Sequence, residues 1–472
     1  MSISKGKDTF IVCRNSQGTE FRATLLRLTR YMVVFEVYNP YSILQLSEVL
    51  TDFKLIMNDR MIYSGRAVVS NLVNTGILLV CEATLEDSWL DVDIFSTLSL
   101  KDRLKNEFSE FLQEWEKTHQ VISEFKVVVA DIQTLLMDLR GWLEQVELGI
   151  RSEPAGDRVE IERNVIQELH QPILQATSSL FGRFEEIAQQ IPEDLQPLHR
   201  SYARRQLHPL VLCAPFVYRT YQKPLGYAGD YEMVNMILRD PYEGSSLFAK
   251  VVNYHFWKQA PAEAHRNRII QLLEKLREEI ESIGRKGRKV KIFNMGCGPA
   301  QEIQSLLTQD DLCEKAELTL LDFNDETLAY TAQLLENLRR QYGRRTVIKT
   351  IKKSVNQILK ESLKGVEGEK YDMVYCAGLF DYLSDRICKR MVSIFYEMLV
   401  PGGVLMVTNV DVSNPSRQHM EYFMEWHLVY RNSEQMKELA PDGVQPEQIR
   451  VFKDVTGVNI FMEVRKPTDG PS

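Results

Sequence analysis

The chain has 472 residues, room for about three domains, and its 44% hydrophobic, 26% charged and 9% aromatic residues exclude a wholly disordered, collagenous or disulfide-framework protein. Lys and Arg number 57 against 65 Asp and Glu, a formal charge of −8, which disfavours nucleic-acid binding by bulk electrostatics. The seven cysteines are scattered without a C-x-x-C pair, so neither a disulfide framework nor a zinc site is expected, and a reducing compartment is the natural reading.

Charge precedes any apolar run at the start, Met1-Ser-Ile-Ser-Lys-Gly-Lys-Asp8, and no apolar stretch approaches 18 residues. A soluble, cytoplasmic protein without stable membrane insertion is expected. From Thr9 to Ala83 the chain carries short β-branched and aromatic runs, among them Phe10-Ile-Val-Cys13, Tyr31 to Tyr38, Phe53 to Met57 and Ile77 to Cys81. Turn-prone pieces (Asn15-Ser-Gln-Gly18, Asn39-Pro40, Asn58-Asp59) separate them, the pattern of a small antiparallel sheet or barrel. Residues 1–95 therefore read as an all-β domain.

Residues 96–215 read as a helical linker or arm. Phe108, Phe111, Leu112 and Trp115, then Leu135, Leu136, Leu139, Trp142 and Leu143, recur at helical spacing, and Glu153-Pro-Ala-Gly-Asp157 reads as a loop between helices. Such an arm either pairs two chains as a homodimer or packs on its own neighbours.

Residues 216–472 read as the unit that carries chemistry, with a lid at its N-terminal end around Tyr227 and Asp230. From Lys289 onward strand-like runs (Val290 to Phe293, Leu318 to Leu321, Val347 to Ile351, Tyr371 to Tyr375, Val404 to Thr408) alternate with helical patterns. That alternation argues for a parallel sheet covered on both faces, with ligands beyond the carboxyl ends of its strands. The first strand runs into Asn294-Met-Gly296-Cys-Gly298-Pro-Ala300, whose glycines let backbone approach a ligand. Position 301 is Gln, so the dinucleotide fingerprint is incomplete, and the Gly-Lys-Ser/Thr of a Walker loop is missing. Asp322, 26 residues past Gly296, stands where an acid reaches ribose hydroxyls.

With Asp372 opening the fourth strand and Leu399-Val-Pro401-Gly402-Gly403 before the fifth, this set resembles the class I S-adenosylmethionine-dependent methyltransferases. The resemblance implies a Rossmann-like domain with S-adenosylmethionine as cofactor. Asn294, Gly296, Gly298, Asp322, Phe323, Ser354, Val355, Cys376 and Ala377 would then hold the cofactor. Two departures stand out: Asn294 replaces an acidic residue, losing the charge that could meet the cofactor's amino group, and Ala300 replaces glycine.

A narrower resemblance covers about residues 200 to 465. Lys223-Pro-Leu-Gly226-Tyr227-Ala-Gly229-Asp230-Tyr231, Ala377-Gly-Leu-Phe-Asp381-Tyr382-Leu383, and Glu421 with Trp426-His-Leu-Val-Tyr430-Arg431 are similar to the bacterial methyltransferases that make 3-hydroxypalmitic acid methyl ester. The implied reaction is methyl transfer to a small molecule, the carboxylate of a 3-hydroxy fatty acid; an N-methyltransferase and a cofactor-sensing scaffold are the alternatives. Tyr227, Asp381, Tyr382 and His427 are the candidate catalytic residues, and Asp230, Arg266, Trp426, Tyr430 and Arg431 the candidate acceptor-binding ones.

Asp230, Arg266, Trp426 and Tyr430 have plainer readings beside the functional one. Asp230 is equally an N-cap for the following helix; Arg266, Asn267 and Arg268 read as a helix start; and Trp426 and Tyr430 read as one face of a helix.

The first 95 residues resemble a PilZ-type β-barrel, a family that binds cyclic di-GMP through an Arg-x-x-x-Arg segment and an Asp/Asn-x-Ser-x-x-Gly turn. Here Ser4-Lys-Gly-Lys-Asp8 and Leu28-Thr-Arg-Tyr31 stand instead, so a degenerate barrel that does not bind the nucleotide is expected.

Overall fold

The computed structural model describes residues 9–29, 31–38, 44–57, 60–74, 78–86, 109, 112, 121–154, 156–284, 287–361 and 368–468. The segment Ser4 to Asp8, Arg30, the turns at Asn39-Pro40 and Asn58-Asp59, and the helical reading at Phe108, Phe111 and Trp115 lie outside them.

Six strands open the chain: β1 (Thr9–Arg14), β2 (Glu20–Leu28), β3 (Met32–Tyr38), β4 (Val49–Met57), β5 (Arg60–Asn74) and β6 (Leu78–Leu85). They form a closed antiparallel barrel in the order β1-β2-β3-β6-β5-β4. Alternate residues such as Ile11, Cys13, Phe35, Phe53 and Cys81 fill the interior, and pairing of β1 with β4 leaves no free edge.

The helices, in chain order, are α1 (Ser123–Arg151), α2 (Arg158–Gln189), α3 (Gln196–Val211), α4 (Pro215–Gln222), α5 (Tyr231–Leu238), α6 (Leu247–Trp257) and α7 (Ala260–Gly284). They continue as α8 (Gln301–Gln309), α9 (Asp325–Gln341), α10 (Val355–Glu361), α11 (Asp385–Glu397), α12 (Arg417–Met424) and α13 (Ser433–Glu438). The remaining strands are β7 (Val290–Met295), β8 (Ala316–Asp322), β9 (Val347–Lys352), β10 (Tyr371–Cys376), β11 (Leu399–Val410), β12 (Ile449–Lys453) and β13 (Asn459–Arg465).

The chain divides into two compact units. The first comprises Met1–Ala228, Tyr242–Phe256 and Ser416–His427. The barrel and the helices, separate domains in the sequence reading, share this unit, and so does α12. An aromatic cluster joins α12 to the helices: Phe125 of α1 packs on Phe184 of α2, His199 of α3 and Tyr422 of α12, with ring centroids 5.5, 5.1 and 5.7 Å away. Leu136 and Leu143 are buried as their spacing requires, whereas Trp142 is 51% exposed.

The second unit comprises Gly229–Pro241, Trp257–Pro415 and Leu428–Ser472. Its sheet has the order β12-β13-β11-β10-β7-β8-β9, with β9, β8, β7, β10 and β11 parallel and β13 antiparallel to β11. Every residue of β10 is buried, as expected of a strand covered on both faces. Asp372 fixes the start of β10 against β7 by accepting from Arg288 and from the Lys291 N–H at 2.9 Å. The Pro401-Gly402-Gly403 turn makes a bulge: pairing jumps from Tyr371 with Leu399 to Met373 with Val404. A Cβ at Gly403 would lie 3.0 Å from the carbonyl oxygens of Asp372 and Val400, so a side chain there would press on both strands' backbone. The fold is thus α/β, a Rossmann-like doubly wound sheet with a helical region and an all-β barrel. Among the described residues no helix is long and apolar enough to cross a membrane, and no cluster of metal-ligating side chains occurs.

Candidate functional site

Strand order reverses between β7 and β10, and the crevice at such a switch point is where an open α/β sheet binds ligands. After β7 the chain turns through Gly296 (φ 70°), Gly298 (φ 49°) and Ala300 (φ 50°) into α8. The turn is tied to the neighbouring strand, because the N–H groups of Gly296 and Cys297 both donate to the Leu321 carbonyl, at 2.8 and 3.0 Å. A Cβ added at Gly298 would meet nothing within 4 Å among the described residues, so this face of the loop is open.

Asp322 ends β8 and is buried, one oxygen accepting the Gly298 N–H at 3.1 Å and the other the Asn324 N–H at 3.0 Å. Burial raises its carboxyl pKa and these N–H groups oppose the rise. The Phe323 N–H opposes the rise as well. Phe323 follows directly. At the end of β9, Ser354 caps α10: the Gln357 N–H donates to its Oγ at 3.3 Å and Gln357 Oε1 accepts its N–H at 2.9 Å. Val355 lies in the core, and Cys376 and Ala377 sit at the end of β10. The nine residues expected to hold a cofactor therefore gather at or just beyond the carboxyl ends of four adjacent strands.

Beside these nine stand Glu302, Tyr375 and Arg268. Asn294 is buried; its Nδ2 donates to Glu302 Oε1 at 3.2 Å, while its Oδ1 finds no partner among the described residues. Tyr375 donates to the same Glu302 oxygen at 2.7 Å, and burial raises the Glu302 carboxyl pKa. Arg268 of α7 is 7% exposed, and its Nη1 has no hydrogen-bond partner among the described residues. Burial lowers its pKa; Asp381, Tyr382 and Glu302 are the charged and titratable groups that face it most strongly. It stands against the end of β10, where a Cβ at Gly378 would be 3.0 Å from Nη1.

The expectation that residues 266–268 start a helix is corrected: α7 begins at Ala260. Arg266 donates to the Trp257 carbonyl at 2.9 Å and stacks 3.8 Å over the Trp257 ring, which engages the guanidinium assigned to the acceptor. Two positions along a helix turn the side chain about 200° away, so Arg268 faces elsewhere.

Beyond β10, Asp381 and Tyr382 form a single turn. Asp381 is buried, accepts the Val410 N–H at 2.7 Å on Oδ1, and has its carboxyl pushed up to about 6 by burial, against the pull of Arg268. Its carbonyl accepts the Val429 N–H at 2.7 Å. The Tyr382 hydroxyl lies 2.8 Å from where a Cβ on Gly229 would stand, so two motifs far apart in sequence meet here. Asp230 caps α5, accepting the Met233 N–H at 2.8 Å.

The helix expected through Trp426 and Tyr430 is absent. α12 ends at Met424 because Glu425 adopts φ 49°, and residues 425–430 form neither helix nor strand. Arg431 is buried and its donors are spent: Nε on Asp385 at 2.8 Å, Nη1 on Phe380 O and Asn409, Nη2 on Leu383 O. It is a staple for the Asp381–Tyr382 turn, which corrects its assignment as an acceptor ligand.

Tyr227, Trp426 and His427 belong to the first unit. Burial lowers the His427 pKa; its Nδ1 lies 3.7 Å from Glu421 Oε2, and its backbone is held by Ser47. Trp426 is 5% exposed, its N–H donating to the Met420 carbonyl at 2.9 Å.

No protein-family model matches the chain, and no curated protein matches it. Among solved structures, one described as a possible exported protein of Bordetella parapertussis is similar at 17% identity over 53% of this chain and 86% of its own, with a TM-score of 0.40. The N-methyltransferase NodS of Bradyrhizobium japonicum WM9, in complex with S-adenosyl-L-homocysteine, is similar at 16% identity over 53% of this chain and 99% of its own, TM-score 0.32. Magnesium protoporphyrin IX methyltransferase of Synechocystis PCC 6803 is similar at 10% identity over 53% of this chain and 98% of its own, TM-score 0.35.

Proposed function

We propose that the second unit binds S-adenosylmethionine at the switch point between β7 and β10 and transfers its methyl group to a small-molecule acceptor. The observation that carries this reading is two buried polar atoms without a partner among the described residues, a donor at Arg268 Nη1, against Gly378 just beyond β10, and an acceptor at Asn294 Oδ1, on the strand that leads into the glycine turn. A buried polar atom without a partner is destabilising by about 1–3 kcal/mol, so this pair suits a zwitterionic amino-acid group. Arg268 would take the carboxylate, and Asn294 with Glu302 the ammonium. Asp322 would accept from a ribose diol, the open face of Gly298 admits the ligand, and Phe323, Ser354, Val355, Cys376 and Ala377 would line the base.

Bound there, the cofactor supplies a methyl group made electrophilic by its sulfonium. The protein's task is then to hold a nucleophile in line with it and exclude water. Asp381 and Tyr382 would shape the acceptor side, held by Arg431. The resemblance of residues 200 to 465 supports a 3-hydroxy fatty acid as acceptor; its carboxylate is ionised near neutral pH and needs no base. An amine is the second reading, favoured by Asp381, whose carboxyl at about 6 suits proton removal. The barrel, by its resemblance, is PilZ-like without the arginine pair that binds cyclic di-GMP.

Titration calorimetry of the full chain with S-adenosylmethionine tests the reading, followed by methyl transfer to 3-hydroxyhexadecanoate. Binding lost in Asp322→Ala supports it; folded protein that binds no cofactor at millimolar concentration overturns it. A rate that climbs as an amine deprotonates selects the second acceptor class.

A further inference from the structure

Within the second unit, the short helix α5 is fastened to the start of α8 and to α9 through one buried amide. Asn235 is 8% exposed; its Oδ1 accepts from Gln301 Nε2 at 3.0 Å, and its Nδ2 donates to the Tyr330 hydroxyl at 3.0 Å. A third bond, from Nδ2 to Glu232 at 3.0 Å, fixes the amide on its own helix. Tyr231 adds to the seam: it stacks on Tyr330, ring centroids 4.5 Å apart, and donates to Glu326 at 2.9 Å.

Both anchors adjoin the glycine turn. Gln301 follows Ala300 directly and opens α8. Tyr330 precedes Thr331, which is buried and donates to the Gly298 carbonyl at 2.7 Å. The amide of Asn235 therefore joins α5 to the two elements that frame the loop whose face is open at Gly298.

These contacts are polar and aromatic, and parting them exchanges each hydrogen bond for one to water, so each shifts the balance by only about fivefold. Eight residues do not hold a helix on their own. Once free of α8 and α9, α5 frays, while the bond from Trp257 Nε1 to the Ile237 carbonyl at 2.7 Å keeps it tethered. Segments of such low local stability are the ones that open to pass ligands.

We infer that Asn235 is a positioning residue that latches α5 to the glycine turn, and that this latch parts each time the cofactor enters or leaves the crevice. The effect on cofactor passage rests on the reading of the crevice as the cofactor's site; the latch itself is a property of the ligand-free protein.

Two variants of the full chain test it. Asn235→Leu keeps the size and removes the amide, and Gln301→Met breaks the same bond from the less buried side, where folding is least at risk. Hydrogen exchange without ligand follows two amides of α5, Val234 on the Asp230 carbonyl and Arg239 on the Asn235 carbonyl. Both should exchange about fivefold faster or more, with the β7 amides unchanged. Unchanged α5 amides in both variants, or equal acceleration in β7, overturn the inference. In rapid mixing with S-adenosylhomocysteine, association and dissociation should both quicken about fivefold while Kd stays within about twofold. Faster dissociation with unchanged association overturns the latch, because α5 is then a contact to the ligand and not a barrier to it. If the unaltered protein binds no S-adenosylhomocysteine, the cofactor reading fails, and the exchange rates decide by themselves whether Asn235 latches α5.

Discussion

Asn294 and Glu302, eight residues apart, share a hydrogen bond at 3.2 Å between the amide of one and the carboxylate of the other. The carboxylate that Asn294 lacks is thereby brought to the same place from the first turn of α8. Glu302→Gln should weaken S-adenosylmethionine binding by about tenfold or more, the worth of a charge-assisted bond, read by calorimetry. The same variant should stabilise the ligand-free protein near neutral pH. Burial raises the Glu302 carboxyl, so its contribution to stability is present at low pH and lost as pH rises through the folded value. The gain from Gln should vanish below about pH 4, measured by chemical unfolding.

Arg268 has a buried Nη1 without a partner, and that states its role more sharply than its place in the sequence. Arg268→Met should lower affinity for S-adenosylhomocysteine by about ten- to a hundredfold, as loss of a charged bond implies. Affinity for 5′-methylthioadenosine, which has no carboxylate, should stay the same. Equal loss for both ligands would show that the arginine shapes the crevice and does not read the carboxylate.

How much of this was legible beforehand depended on whether the signal was local. β10 is an unbroken buried run, Tyr371 to Cys376, and the glycine turn follows its strand directly, so the sheet and the cofactor loops could be read from neighbouring residues. Arg431 looked like a ligand because its partners, Phe380, Leu383, Asn409 and Asp385, lie 22 or more residues away. Arg266 and Arg268 are two positions apart, and only packing decides which of them faces the crevice. The end of the helix before Trp426 is not legible because a left-handed glutamate, and not glycine or proline, ends α12.

Ala300 occupies a left-handed conformation at the start of α8. A Cβ there is unfavourable by about 1–2 kcal/mol, and glycine carries an entropic penalty of roughly 0.5–1 kcal/mol relative to alanine. Ala300→Gly should therefore leave the protein about 0.5–1 kcal/mol more stable, seen as a higher urea midpoint with an unchanged slope. A lower midpoint would mean that the alanine methyl contributes more to the core beneath the loop than its conformation costs.

Asp381 sets the expected pH dependence of the second unit. Its carboxyl is raised from 3.8 to about 6, mainly by burial, so the folded protein holds that proton more tightly than the unfolded chain does. The stabilisation is complete below the unfolded value and is lost as pH rises through 6. Between about pH 4 and about pH 7 this group should remove roughly 2–3 kcal/mol. Asp381→Asn keeps an acceptor for the Val410 N–H but cannot ionise, so its unfolding free energy should be flatter over that range. If ionised Asp381 also removes a proton from an amine acceptor, Asn should abolish the rise in rate near pH 6. If the acceptor is a carboxylate, turnover should persist while the stability profile still flattens. Unfolding curves and pH-rate profiles on the same two proteins therefore separate what Asp381 does for the fold from what it does for the reaction.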